Sequence, residues 1–448
     1  MKKIGKWTLL YAFIKQYVFC FFRLYYRHFS INGLENFNKN KPIILAPNHQ
    51  NALMDALTIV FSLPGQPVFL ARADIFKNKI IASVLYALKL MPVFRIRDGK
   101  DSLVNNKDTF DTSISVLENN KVLCLFPEGA HIGMKSMLPH KKAVPRIAFL
   151  AGEKTNFEID LQVIPVGIYY THYYKFRSDL VVQYGKPIPM KEYFDIFRTE
   201  GEQKATQALR DKIYDELSLL CVNVPDKDDY PIYEQGFELY REKECKLLKL
   251  KTTPTNMVKA EQSLTAKLKC YLDEHLSEKE RLLKAASACN QLKEKLSVSE
   301  ESLKRGQMKW FEVAGNLIVF IILLPFSLFG AILHGWLFCI TTFSIRKKIK
   351  DPQFYSSFTL GLNVVFFTLW FIILLLIFAF TLHNWIIAIV LVIVSIPCGI
   401  IAWEITQMIL SMCKRFKCKR LNKKRNIDYK MLLENRDYLV YKFDKIII

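Results

Sequence analysis

The stretch APNHQNALMD, residues 46–55, marks the junction between two kinds of secondary structure. The residues before it, 42–45, read Pro-Ile-Ile-Leu, which is the short apolar run of a buried strand. From Ala52 to Val60 apolar side chains recur with helical spacing. A polar loop, residues 48–51, separates the two patterns. A strand that passes through a short loop into a helix is the basic unit of an α/β fold.

The same alternation of apolar runs and helical patterns continues over residues 31–200. We therefore predict an α/β domain there, with a mostly parallel sheet. The predicted strands are the runs PIILAP, QPVFLA, MPVFRI, KVLCLF, LQVIPVGIYY and LVVQYG.

The composition indicates a chain that meets a membrane. It has 448 residues, 51% of them hydrophobic, and a formal net charge of +21. Basic and apolar character together favour an anionic membrane surface over nucleic acid. The ten cysteines are scattered without C-x-x-C, which predicts neither a disulfide framework nor a zinc site. This pattern fits a reducing compartment.

Residues 1–30 are predicted to form an interfacial helix. Their aromatic residues are interrupted by Lys15, Arg23 and Arg27, and the stretch free of charge is too short to span a bilayer. A helix lying among lipid headgroups has this composition. A helix docked on the core of the next domain is the alternative. The segment has no small-x-small cleavage site, which disfavours a removed signal peptide.

The rest of the chain divides into three regions. Residues 201–310 carry charge-rich helical patterns with Glu–Lys pairs, so we predict a helical accessory region. Residues 311–412 are membrane-like, and residues 413–448 form a basic tail. In the membrane region, 360–382 and 385–410 are each long enough to span, and the short turn between them predicts a hairpin.

His49 is the strongest candidate for a general base. It follows a predicted strand, where α/β sheets collect functional side chains. Asp55 could orient the imidazole and stabilise the imidazolium. On one helix a separation of six residues would turn the two side chains apart. We therefore expect His49 before the helix, Asn51 at its N-cap and Asp55 in its first turns. A structural histidine is the alternative.

A second group of polar residues could bind a phosphate or a hydroxylated substrate. Arg95 ends a strand-like run, and Lys141 and Arg146 follow the turn Phe-Pro-Glu-Gly at 126–129. Such cations can clamp a phosphate, whereas the alternative is a solvated basic surface. Glu128 lies in the turn itself. Its carboxylate could accept substrate hydroxyls or, alternatively, nearby backbone N–H groups.

Four stretches, taken together and in order, resemble the glycerolipid acyltransferase family. They are NHQNALMD (48–55), MPVFRIRD (91–98), LFPEGAH (125–131) followed by LPHKKAVPR, and VIPVGIYY (163–170). FPEG matches the third family motif in full, and VIPVG matches the fourth. Pro92, Val93 and Arg95 match the second. LPHKKAVPR resembles the family's LPxKxGVxR, with Ala143 where glycine is usual.

The first motif departs from the family in its spacing. Five residues separate His49 from Asp55, whereas four are usual. The pattern H-x-N-x-x-x-D, formed here by His49, Asn51 and Asp55, resembles the branch that acylates glycerol 3-phosphate or dihydroxyacetone phosphate. The departure therefore favours that branch.

The resemblance implies an acyltransferase domain over 31–200 and a mechanism without metal, cofactor or covalent acyl-enzyme. His49 would take the proton of a glycerol hydroxyl, and that oxygen would attack the thioester of an acyl-CoA or acyl carrier protein. Asp55 would hold His49, and residues 163–166 would lie beside the acyl groove. Arg95, with Lys141 or Arg146, would contact the phosphate of the acceptor. Glu128 and Gly129 would contact its glycerol part. Asn51 would also lie in the substrate site.

Other functions remain as alternatives. A lysophosphatidate or other lysophospholipid acyltransferase would use the same motifs on a lipidated acceptor. A non-enzymatic membrane scaffold would use the helices of 201–310 and the C-terminal hairpin. A nucleic-acid binder is disfavoured because the basic residues cluster at membrane edges. The expected partners are membrane lipids, a phosphorylated acceptor and an acyl thioester.

Basic residues determine the predicted topology, with a bacterial cell membrane as the favoured location. The loop at 346–350 and the tail after residue 412 are rich in lysine and arginine, which places both on the cytoplasmic side. A domain that uses soluble phosphorylated substrates would lie on that side too. The apolar run 317–343 should then enter and leave on one side, as a re-entrant segment broken at Pro325.

Overall fold

The computed structural model describes residues 4–94, 106–304, 310–344 and 346–447. The chain forms two compact units. The first unit comprises Met1–Pro225, Thr253–Val258 and Asp351–Ser357. The second unit comprises Asp226–Thr252, Lys259–Lys350 and Phe358–Ile448.

One sheet of eight strands forms the centre of the first unit. The strands are β1 (His28–Asn32), β2 (Ile43–Pro47), β3 (Val68–Arg72), β4 (Leu90–Val93), β5 (Val122–Cys124), β6 (Gln162–Tyr170), β7 (Asp179–Tyr184) and β8 (Ile188–Pro189). Their order is β1-β7-β6-β2-β5-β3-β4, with β8 paired to β6. β6 is antiparallel to β7 and β8, and the other pairs are parallel. The predicted α/β fold with a mostly parallel sheet is confirmed.

Each of the six predicted strand runs overlaps a strand of this sheet. β2 lies between β5 and β6, and all five of its residues are buried. A strand covered on both faces needs such a continuous apolar run, which is why it is visible in the sequence. β1 was not predicted, because its first residues fall in the aromatic stretch assigned to the N-terminal helix. β8 has only two residues.

Helices cover the sheet of the first unit. They are α1 (Leu9–Tyr25), α2 (Ala52–Ser62), α3 (Lys79–Ala87), α4 (Asn106–Glu118), α5 (Ala143–Lys154), α6 (Lys191–Glu200) and α7 (Glu202–Ser218). Buried side chains of the sheet and the helices, such as Ile44, Val163 and Ile147, form one apolar core. This core supports the strand ends from which the loops of the site extend.

Helix α1 combines the two properties considered for the N-terminal segment. Near its start Leu10 and Phe13 are 60% and 68% exposed. Near its end Phe22 and Tyr25 are buried, and the Phe22 ring packs against Phe61 of α2. The helix therefore docks on the domain at one end and presents apolar side chains at the other.

The later part of the chain is helical. Its helices are α8 (Tyr230–Leu247), α9 (Pro254–Glu274), α10 (Leu276–Lys295), α11 (Glu300–Lys304), α12 (Trp310–Gly330), α13 (Trp336–Cys339), α14 (Tyr355–Leu382), α15 (Trp385–Lys423) and α16 (Ile427–Ile447). In the second unit, ion pairs join α16 to earlier helices. Lys442 Nζ lies 2.6 Å from Glu278, and Arg436 lies 2.9 Å from Glu300.

Among the described residues, three helical runs are long and apolar enough to cross a membrane: Phe311–Lys348, Pro352–Leu382 and Trp385–Lys423. The last two meet at the turn predicted from the sequence. The side chain of Asn384 accepts the N–H groups of Ile386 and Ile387, and this cap begins α15.

The predicted break at Pro325 is wrong. Helix α12 continues through this proline, and π-helical turns follow at Ala331–Gly335 and Ile340–Ser344. Proline removes one backbone hydrogen bond from a helix. In apolar surroundings a full break would leave further backbone groups unpaired, at several kcal/mol each, so the chain keeps its helical bonds.

Candidate active site

The candidate site lies where β2 and β5 end beside β6. Asn48 is the first residue after β2. Its side-chain amide donates to Ile168 O at 3.0 Å and accepts from Ile168 N at 2.6 Å. The amide thereby extends the pairing of β2 with β6 and fixes the start of the loop that carries His49.

His49 and Asp55 form a hydrogen-bonded pair in this loop. His49 Nδ1 lies 2.8 Å from Asp55 Oδ2, and the same oxygen accepts the N–H groups of Gln50 at 2.8 Å and Asn51 at 2.7 Å. Asp55 Oδ1 accepts the hydroxyl of Tyr170 at 2.7 Å. Asp55 is fully buried. The Asp55 carboxylate therefore accepts four hydrogen bonds, one from His49 Nδ1 and three that fix its position beside that nitrogen.

The helix start matches the predicted placement. Helix α2 begins at Ala52, with Asn51 at the N-cap position and Asp55 in the first turn. His49 precedes the helix, so the two side chains of the pair can meet. The Asn51 side chain makes no capping bond, and its Nδ2 donates to Tyr173 O at 3.1 Å. Asn51 is buried and ties the loop to the segment after β6.

Two aromatic neighbours fix the ring of His49. The Phe126 ring stacks on it, with centroids 4.1 Å apart and planes 21° apart. The His131 ring meets it edge-on, with centroids 5.0 Å apart. The His49 side chain is 15% exposed. Because Nδ1 is occupied by Asp55, Nε2 is the nitrogen available for a substrate.

Glu128 joins the two loops of the site. Its Oε1 accepts the backbone N–H of His49 at 2.8 Å, and its Oε2 accepts that of Leu138 at 2.8 Å. The residue is fully buried. Of the two roles considered, the structure gives Glu128 the binding of backbone N–H groups. The substrate contact stays a prediction.

Gly129 makes the turn after β5 possible. Its φ of 65° lies in the left-handed region, and a Cβ there would lie 3.4 Å from Lys141 Cγ. The N–H of Lys141 donates to Pro127 O at 2.7 Å. The turn therefore places the exposed Lys141 directly beside Gly129.

The other predicted cations lie farther along the chain. Arg146 is exposed in the first turn of α5, with its guanidinium 5.0 Å from the centre of the Phe110 ring. Arg95 lies outside the described residues, so its place in the site stays a prediction.

Tyr170, Phe126 and His131 were not among the predicted site residues. All three lie in the stretches that carry the family resemblance. Tyr170 ends an apolar strand, where a polar-tipped aromatic residue needs a partner. Burial, with the nearby Asp55 carboxylate, raises the pKa of Tyr170 well above its usual range. Its hydroxyl therefore stays protonated and donates to Asp55.

The arrangement suits proton transfer. It contains a candidate base, a carboxylate that orients it and a tyrosine that holds the carboxylate. The described residues contain no group of three or more His, Cys, Asp or Glu side chains placed to hold a metal ion.

Comparison with known proteins identifies the class of domain that carries this site. Residues 28–169 match the family model described as Acyltransferase. This part of the chain is an acyltransferase domain. Its curated matches, with the motifs above, are consistent with the glycerolipid acyltransferase family.

The matched relatives are longer proteins. A protein described as an uncharacterized acyltransferase from Schizosaccharomyces pombe is 33% identical over 122 residues, covering 27% of this chain and 18% of that protein. Glycerol-3-phosphate O-acyltransferase 2 of Saccharomyces cerevisiae is 27% identical over 190 residues, covering 40% of this chain and 25% of that protein. The chain thus matches a quarter or less of each relative's length.

A solved structure is also similar to part of the chain. The crystal structure of the 1-acyl-sn-glycerophosphate (LPA) acyltransferase from Thermotoga maritima is 20% identical to the matched part. It aligns with a TM-score of 0.33 over 46% of this chain and 79% of that chain.

Proposed function

We propose that this chain is a membrane-bound O-acyltransferase that moves a fatty acyl group from an acyl thioester to the sn-1 hydroxyl of glycerol 3-phosphate or dihydroxyacetone phosphate. The observation that carries the proposal is the 2.8 Å contact of His49 Nδ1 with the buried Asp55. The H-x-N-x-x-x-D pattern and the similarity to a yeast glycerol-3-phosphate O-acyltransferase support the acceptor.

In the proposed mechanism, His49 Nε2 takes the proton of the acceptor hydroxyl while that oxygen attacks the thioester carbonyl carbon. A C–O bond forms, the C–S bond breaks, and the imidazolium returns the proton to the departing thiolate. Asp55 stabilises the imidazolium through Nδ1. Phe126, stacked on the ring, keeps Nε2 directed at one position.

The cations around the turn would bind the acceptor's phosphate. Lys141 is exposed beside Gly129, and Arg146 is exposed on the next helix. Arg95 is expected to complete the clamp. A phosphate bound by two or three cations would leave the glycerol hydroxyls free to reach His49.

Membrane attachment is supported by the three long apolar helical runs. We propose a cytoplasmic site, because Asp351–Ser357 belongs to the first unit, follows the basic residues 346–350 and leads into α14. A variant with Cys20 as its single exposed cysteine tests this. A membrane-impermeant maleimide should label it in inverted vesicles, and labelling of sealed right-side-out vesicles instead would contradict the proposal.

The activity itself is tested with detergent-solubilised protein, labelled palmitoyl thioester and three acceptors: glycerol 3-phosphate, dihydroxyacetone phosphate and lysophosphatidate. His49→Ala should abolish transfer. His28→Ala is the matched control, because exposed His28 forms a similar pair, 2.7 Å from Asp179, at the start of β1. It should keep wild-type activity.

The acceptor that becomes labelled decides between the candidates. A lyso-product from a soluble acceptor, lost in His49→Ala and kept in His28→Ala, would establish the proposed enzyme. Label with lysophosphatidate alone would make the chain a lysophosphatidate acyltransferase. Full activity in His49→Ala would refute the mechanism.

A further inference from the structure

A segment from late in the chain packs beside the candidate site. Asp351–Ser357 belongs to the first unit, although the residues before and after it belong to the second. The Ser356 hydroxyl donates to Tyr173 O at 2.7 Å, and the Tyr25 hydroxyl donates to Ser356 Oγ at 3.1 Å. Ser356 is fully buried. These bonds anchor the segment to the end of α1 and to the loop after β6, whose Tyr173 carbonyl also accepts the Asn51 side chain.

The segment reaches the site through His131. Gln353 Oε1 accepts a hydrogen bond from His131 Nδ1. The Phe354 ring packs edge-on against the His131 ring, with centroids 5.1 Å apart. His131 in turn lies edge-on to His49. Two residues of the segment therefore hold an imidazole next to the candidate base.

The bond to Gln353 determines which nitrogen of His131 can accept a hydrogen bond. With Nδ1 donating to the carboxamide oxygen, a neutral ring has its lone pair at Nε2. Burial lowers the pKa of His131; His49 also lowers it, whereas Gln353, Asp55 and Asp351 raise it. At neutral pH His131 is therefore an uncharged acceptor adjoining His49.

The candidate acceptors differ at the carbon next to the reacting hydroxyl. Glycerol 3-phosphate has a second hydroxyl there, dihydroxyacetone phosphate has a carbonyl, and lysophosphatidate has an acyl ester on the glycerol carbon beside its free hydroxyl. A hydroxyl can donate to Nε2 of a neutral imidazole, whereas a carbonyl or ester oxygen cannot. Because the two oxygens sit on adjacent carbons and the His49 and His131 ring centroids lie 5.0 Å apart, an acceptor that offers one oxygen to His49 would have the other within reach of the adjoining ring.

We infer that Gln353 is a positioning residue of the site, which sets His131 to accept the second hydroxyl and so selects glycerol 3-phosphate over dihydroxyacetone phosphate. The inference rests on the proposed function and narrows its acceptor. Gln353 acts from 222 residues away in the sequence, through His131.

Steady-state kinetics with the two soluble acceptors test this selection. The full-length wild type should have the higher kcat/KM for glycerol 3-phosphate. Gln353→Leu removes the oxygen that orients His131, so KM for glycerol 3-phosphate should rise about tenfold, the equivalent of one hydrogen bond. The parameters for dihydroxyacetone phosphate should stay within about twofold, because its carbonyl makes no such bond.

Gln353→Glu keeps the size of the side chain and changes its charge. A carboxylate at this position favours protonated His131, whose Nε2 then donates instead of accepting. The preference should shift toward dihydroxyacetone phosphate and return toward glycerol 3-phosphate as the pH rises and His131 loses the proton. Ser357→Ala is the matched control, because this buried hydroxyl of the same segment has no hydrogen-bond partner among the described residues. It should behave as wild type.

Two results would overturn the inference while the proposed function stands. One is an active wild type with no preference between the soluble acceptors. The other is a Gln353→Leu or Gln353→Glu enzyme whose losses are equal for both acceptors. A wild type that acylates neither acceptor would overturn the proposed function itself, and the selection with it.

Discussion

Buried carboxylates are held in different ways in the two units of the chain. In the first unit, Asp55 accepts from an imidazole, a tyrosine hydroxyl and two backbone N–H groups. In the second unit, Glu244 lies 2.9 Å from Lys267 Nζ and accepts the Ser263 hydroxyl at 2.6 Å. Both carboxylates are fully buried.

The difference in hydrogen-bond partners distinguishes a candidate catalytic carboxylate, Asp55, from a carboxylate in a structural ion pair, Glu244. Lys267 of the neighbouring helix neutralises the charge of Glu244. The resulting ion pair has a structural role, because it joins α8 to α9. In the proposed reaction His49 becomes positive, and the tyrosine hydroxyl and the two backbone N–H groups would leave the negative charge of Asp55 available to stabilise it. The partners of a buried carboxylate are therefore more informative than its burial.

Asp55→Asn is the variant with the largest expected effect, and it tests whether the Asp55 carboxylate takes part in catalysis. The amide keeps the size of the side chain but loses the charge and one acceptor. We expect kcat for acyl transfer to fall by roughly 10³–10⁴, as expected when a base loses its orienting carboxylate. The melting temperature, followed by circular dichroism in detergent, should confirm a folded variant. A folded enzyme within tenfold of wild-type kcat would show that Asp55 has no catalytic part.

Glu244→Ala should have the opposite effect: the protein should lose stability and keep its activity. Removing one partner of a buried ion pair costs about 3–5 kcal/mol, and the partly exposed Lys267 places the expected loss near 3 kcal/mol. Denaturant unfolding measures this loss, and activity per folded molecule should not change. The double variant Glu244→Leu/Lys267→Met, which removes both charges, should recover much of the stability. A loss of kcat without a loss of stability would place Glu244 in a functional site.

His140 extends the comparison to imidazoles, because it is buried against the Tyr214 ring. Burial lowers its pKa to about 4, compared with 6.5 in the unfolded chain. Between these values only the unfolded chain binds the proton, so the free energy of unfolding should decrease as the pH falls from 6.5 to 4. His140→Gln should make that decrease shallower in urea titrations. Parallel curves for the two proteins would contradict the assignment.

The smallest effect is expected at an exposed pair. Glu280 and Lys284 lie one helical turn apart in α10, with side chains 76% and 75% exposed. Because water screens such pairs, Glu280→Ala should leave the melting temperature unchanged within experimental error. A clear decrease would mean that ion pairs in the second unit stabilise it irrespective of burial.

The sequence predicted the parts of the molecule that depend on local pattern. The strand run at β2, the polar loop and the start of α2 are contiguous, so the placement of His49, Asn51 and Asp55 followed from spacing alone. The turn between α14 and α15 was visible for the same reason, whereas the hairpin itself stays a prediction. The prediction of a helix break at Pro325 was wrong because proline disfavours a helix only locally. The apolar surroundings of α12 override this local preference.

The sequence did not predict the contacts made across the fold. Tyr170 is 115 residues from Asp55, and the carboxylate of Glu128 binds the N–H of His49 over 79 residues. No periodicity relates such positions, because they meet only when β2, β5 and β6 align. The role of Glu128 was open until its two backbone partners were known.

The place of Gln353 in the chain also sets an order of events during synthesis. Its partner His131 is made 222 residues earlier, which at ribosomal speeds of about 5–20 residues per second is a delay on the order of 10–40 s. The sheet can form during that interval, but the hydrogen bond between Gln353 and His131 can form only when the residues leading into α14 emerge. If Gln353 selects the acceptor as proposed, a nascent chain would acquire that selectivity only when the residues leading into α14 have been made.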